Sequence, residues 1–124
     1  MKNFFFGFLS ILITTSAFAG QNAIQETECT LQILKEGKQP YILHGSIREK
    51  TGFDYLTLEP NTVSGAKFSA RVLLTGNYDP VTIHPRGNTV NTVARGDLAQ
   101  SDEVSLEYYD SANKTDYFLY CQNL

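Results

Sequence analysis

Across residues 27–33 apolar and polar positions alternate, with Thr27, Cys29, Leu31 and Ile33 on one side and Glu28, Thr30 and Gln32 on the other. A period of two is the pattern of a strand buried on one face. Glu36-Gly37-Lys38 then marks a turn, where glycine accepts a positive φ. Tyr41, Leu43, Gly45 and Ile47 form the next inward set. If Ile33 stands opposite Tyr41, the same register puts Cys29 opposite Gly45, whose missing side chain leaves room beside the cysteine. The alternation continues, broken every eight to twelve residues by Gly, Pro, Asn or Asp, and it predicts further strands over 53–58, 67–74, 81–84, 89–94, 104–109 and 115–122. His84-Pro85-Arg86-Gly87 reads as a turn between two short strands, since proline presets φ and glycine tolerates the left-handed position after it.

The last hairpin has the best-determined register. With residues 111–114 as its loop, Asp110 faces Thr115, and Tyr108, Leu106 and Val104 fall opposite Tyr117, Leu119 and Cys121. A slip of one residue would turn every one of these side chains to the other face. The opposite face carries Ser105, Glu107, Tyr109, Asp116, Phe118 and Tyr120. No stretch keeps a helical period beyond about eight residues. The expected fold is all-β: one small antiparallel β-sandwich or barrel of about eight strands.

The N-terminus follows a different rule. Lys2, an apolar run across 4–13 and the small residues of Ala17-Phe18-Ala19 have the three parts of a secretory signal, 1–19, and the run is shorter than the ~20 apolar residues of a membrane span. The domain is then 20–124, about 105 residues, a common size for one domain. No stable membrane span is expected after cleavage, and the location is periplasmic or secreted. In that oxidising setting Cys29 and Cys121, the only cysteines, are expected to form a disulfide, whose long loop could contribute up to about 4.7 kcal/mol.

Loss of Lys2 takes the formal net charge from −3 to about −4, which disfavours nucleic acid and anionic membranes as partners. A protein or carbohydrate ligand is expected instead. Tyr109, Phe118 and Tyr120 are one candidate surface, because tyrosines combine broad apolar contact with a polar tip. Arg95-Gly96-Asp97, expected on a loop, matches a short adhesion motif in which the carboxylate meets a metal on the receptor and the guanidinium an acidic groove. His84 reads as a turn residue beside Pro85. His44 and His84 lack the spacing of a zinc protease, Ser64-Gly65 lacks a nucleophile elbow, and Asp102-Glu103 would point to opposite sides of a strand. These readings give a binding module rather than an enzyme, with no catalytic residue, no cofactor and no metal site. Asn113-Lys114-Thr115 fits a glycosylation site, although the Phe-rich signal looks bacterial.

Val63-Ser64-Gly65-Ala66-Lys67-Phe68 resembles the Ser-Gly-x-x-Tyr segment of bacterial periplasmic inhibitors of vertebrate-type lysozyme, small β-barrels with terminal cysteines. The resemblance covers six residues. It implies a loop whose serine plugs the acidic cleft of the enzyme, with Ser64 and Lys67 at the matching positions. Phe68 replaces the family tyrosine, and the second family segment has no match, Ala94-Arg95-Gly96-Asp97 sharing little with it. An inhibitor of an extracellular hydrolase is thus one alternative to a general binding module. A structural protein of the cell envelope is another.

Overall fold

The computed structural model describes residues 26–48 and 54–124. The expected signal over 1–19 and the expected strand start at Phe53 therefore lie outside the described residues. Eight strands are described: β1 Glu26–Lys35, β2 Tyr41–Arg48, β3 Asp54–Leu58, β4 Phe68–Leu74, β5 Pro80–Pro85, β6 Ala94–Asp97, β7 Glu103–Asp110 and β8 Thr115–Asn123. A single 3-10 turn, Thr62–Ser64, stands between β3 and β4. The strands form two antiparallel sheets of four, ordered β2-β1-β8-β7 and β3-β4-β5-β6. The ladders end at these edges without closing, so the barrel alternative gives way to two open sheets.

Alternation decides which residues meet between the sheets. Cys29, Leu31 and Ile33 of β1 and Tyr117, Leu119 and Cys121 of β8 are buried from the first sheet, with Ala70, Val72 and Leu74 of β4 and Val81 and Ile83 of β5 from the second. β1 and β8 pair directly, Cys29 opposite Cys121, and the two cysteines are joined by the expected disulfide. First and last strands thus lie side by side at the centre of one sheet. The last hairpin has the register expected from its apolar pattern, Tyr108 opposite Tyr117, Leu106 opposite Leu119 and Val104 opposite Cys121.

Ile33 does stand opposite Tyr41 and Cys29 opposite Gly45. The space at Gly45 is not free, however. A Cβ there would lie 2.9 Å from side-chain carbons of both Leu56 and Leu58, so β3 of the second sheet fills it. At the opposite edge a Cβ on Gly96 of β6 would meet Val104 of β7 at 2.5 Å. The two glycines let the sheets approach at both sides of the molecule.

Three further sequence expectations are corrected. The strand expected over 89–94 begins only at Ala94, because the Asn88 side chain accepts hydrogen bonds from the backbone N–H groups of Val90 (2.9 Å) and Asn91 (3.3 Å) and holds that stretch in a local turn. As a result Arg95-Gly96-Asp97 lies within β6 and not on a loop. His84 is not a turn residue but a buried member of β5, with Nδ1 3.0 Å from the Pro85 carbonyl oxygen, an acceptor that requires the proton on Nδ1.

Candidate functional site

Between β3 and β4 the chain makes an exposed loop that is braced at nearly every step. Asn61 is in extended conformation and its side chain accepts the Ser64 N–H (3.0 Å), while Ser64 Oγ donates to the Asn61 carbonyl (2.9 Å). Gly65 closes the turn at φ 72°, a conformation that favours glycine. The Lys67 N–H then donates to the hydroxyl of Tyr117 at 2.9 Å, tying the loop to a fully buried core residue. Arg86 supplies the other side. Its backbone N–H donates to the Lys67 carbonyl (3.1 Å), its Nη1 to the Ala66 carbonyl (3.1 Å), and its Nε pairs with Glu59 (3.3 Å). Phe68, at the position of the family tyrosine, packs against the rings of Tyr108 (4.8 Å) and Tyr117 (5.3 Å) and anchors the end of the loop from inside.

The tip remains outside. Val63 is 91% exposed, and Thr62, Gly65 and Lys67 are also exposed. Two shallow hollows adjoin it and share Gly65: one of about 480 Å³ lined by Lys35, Lys38, Tyr41, Val63 and Ser64, the other of about 390 Å³ lined by Thr62, Ala66, Lys67 and Arg86. Lys35, Lys38 and Lys67 form no ion pair with any described residue. This end of an acidic chain is therefore locally cationic. The Ser64 hydroxyl, already donating to Asn61 and lying 3.3 Å from the Ala66 N–H, holds the shape of the loop; it has no base beside it to make it a nucleophile.

Tyr109, Phe118 and Tyr120 lie together elsewhere, on the outer face of the β2-β1-β8-β7 sheet. Tyr109 is 53% and Tyr120 37% exposed, Phe118 is half-buried, and Ile42 of β2 adds an exposed apolar neighbour across Gln32. Among the described residues no element covers this face. Glu107 and Asp116 are diagonal neighbours on it. Partial desolvation, then a hydrogen bond and the charge of Asp116, raise the Glu107 carboxyl above its ordinary value.

Arg95 and Asp97 occupy a third place and do different work. The Arg95 guanidinium lies over the Tyr78 ring at 5.2 Å, whereas Asp97 Oδ1 accepts the backbone N–H groups of Asp79 (2.8 Å) and Ala99 (2.9 Å). A carboxylate engaged in this way pins its own chain and is not presented in the manner of an adhesion loop. The expected site residues thus divide among three surfaces. The braces of the first, Tyr117, Arg86 and Asn61, were missed from the sequence. Only Asn61, three residues before Ser64 at a cap position, left a local signal.

Among the described residues no group of three or more His, Cys, Asp or Glu side chains is placed to hold a metal ion. Neither a family model nor a curated protein nor a solved structure matches this chain.

Proposed function

We propose that the chain is an exported binding domain that acts through the 61–67 loop, seated in the acidic cleft of an extracellular hydrolase, with a vertebrate-type lysozyme the first partner to test. The observation behind this reading is an exposed tip on a fixed base: Val63 and Lys67 face outward while Asn61, Arg86 and the Tyr117 hydroxyl hold the backbone. A loop already in its bound shape loses little conformational entropy on docking. Lys35, Lys38 and Lys67 beside it, in no ion pair with a described residue, complement a cleft lined by carboxylates and would steer the encounter. The segment's likeness to the inhibitors' Ser-Gly-x-x-Tyr motif points the same way, over six residues. Export is supported by the disulfide, which a reducing compartment would not maintain.

The test is a lysozyme assay with the disulfide-bonded protein and a Lys67→Glu variant. Saturable inhibition by the wild type, weakened at least tenfold by the charge reversal and by added salt, is the expected result. Absence of both inhibition and binding at micromolar protein would remove lysozyme as the partner.

The uncovered aromatic face of β7 and β8 favours a second reading, a protein or carbohydrate partner held flat against the sheet. A partner lost in Tyr109→Ala and Tyr120→Ala but kept in Lys67→Glu would move recognition to that face.

A further inference from the structure

We propose that the outer face of the β3-β4-β5-β6 sheet contains an oxyanion site gripped by Arg71 and Arg95, a function separate from the 61–67 loop. Pairing aligns Arg71 of β4, Thr82 of β5 and Arg95 of β6 in one row across three adjacent strands. All three line a hollow of about 220 Å³ that is completed by Leu73, Pro80, Thr89 and Thr92. Each guanidinium rests on a tyrosine face, Arg71 5.1 Å from the Tyr55 ring centre and Arg95 5.2 Å from that of Tyr78. A cation–π contact of this kind attracts the guanidinium without using any of its N–H groups in a hydrogen bond.

Neither arginine is matched by an acid among the described residues. They form no ion pair with any described residue, and the carboxylate of Asp97, the nearest on β6, is engaged by two backbone N–H groups. Arg86 shows the contrast, since its Nε meets Glu59. The Nε of Arg71 is buried and has no acceptor among the described residues. Enclosed in this way, the Nε is out of a ligand's reach; the Nη groups carry the unanswered charge to the hollow, and an oxyanion oxygen is the acceptor that neutralises it. Thr82 Oγ1 donates its hydrogen to the Arg71 carbonyl (3.3 Å), so toward the hollow it can act as an acceptor for a ligand hydroxyl. The ligand class is a small hydroxylated molecule bearing a carboxylate or a phosphate.

The experiment titrates the disulfide-bonded chain, at low ionic strength, with D-glucuronate in one arm and inorganic phosphate in the other, followed by amide chemical shifts. Saturable shifts confined to β4–β6 are expected, and the tighter arm tells whether the ligand carries a carboxylate or a phosphate. Arg95→Gln, at an exposed position, should weaken binding at least fivefold. Arg71→Lys, which keeps the charge and loses the fork, should also weaken it. Arg48→Gln removes the same charge from the other sheet and should leave affinity within about twofold. Absence of saturable shifts in both arms, or equal affinity in Arg95→Gln and wild type, would overturn the proposal.

Discussion

Glu107 and Asp116 place two carboxyl groups side by side on an exposed sheet face, and the cost falls on Glu107, whose folded pKa is raised by partial desolvation and then by Asp116. A raised carboxyl contributes stability below the unfolded glutamate pKa of about 4.3, and this is lost as pH rises through the folded value. Glu107→Gln should therefore melt at a higher temperature than the wild type at pH 7, with the difference gone at pH 3.5. Equal melting temperatures at pH 7 would show that the two groups do not repel. Tyr117 carries the same sign at the other end of the scale. Burial first, and the charge of Asp110 after the lowering contact with the Lys67 amide, raise its hydroxyl pKa. Stability tied to this group is complete below about pH 10 and declines above it, as the unfolded chain ionises first. Tyr117→Phe leaves the Lys67 N–H without its acceptor. It should cost about 1–2 kcal/mol at pH 7 in urea unfolding and lose less stability than the wild type between pH 9 and pH 11.

At the scale of the strand, the residues that fix the architecture are the ones with least side chain. Gly96 admits Val104 and Gly45 admits Leu56 and Leu58, each at an edge where the two sheets meet. Gly96→Ala must displace a branched side chain rooted in β7 and should destabilise by roughly 1–3 kcal/mol. Gly45→Ala meets the mobile ends of two leucines and should cost less. Guanidinium unfolding of both variants tests the order, and an unchanged midpoint for Gly96→Ala would mean that β6 and β7 can separate freely. Strand expectations based on alternation succeed where alternate positions are buried along the strand, as in β1 and β8, or half-buried against the core, as in β7. They fail over residues 89–93, where the Asn88 side chain takes the N–H groups of Val90 and Asn91 and only the Val93 N–H still reaches β5, at the Ile83 carbonyl.

Across the whole molecule the disulfide links residues 92 apart in sequence that are direct partners in the central pair of strands. Its main effect is to restrict the unfolded chain, so reduction should lower stability by about 2–5 kcal/mol without altering the native far-ultraviolet spectrum. A midpoint of urea unfolding insensitive to reductant would contradict this. The two cysteines, the inward faces of β1 and β8 and the register of the last hairpin were legible in the sequence, because alternation and burial act along a few consecutive residues. Ser64 and Lys67 were also legible as a candidate loop. What holds that loop was not, since the Tyr117 hydroxyl reaches Lys67 across 50 residues and Arg86 arrives from another turn. The same holds for Arg71 and Arg95, brought into one row only when β4, β5 and β6 pair. By itself the sequence determined that the chain forms one-sided strands and which side faces inward, a property of local period. Only the tertiary structure decided that the sheets stay open and which distant side chains meet on their surfaces. Those outcomes depend on strand order and on the close approach at two glycines, and neither is encoded in any single stretch of residues.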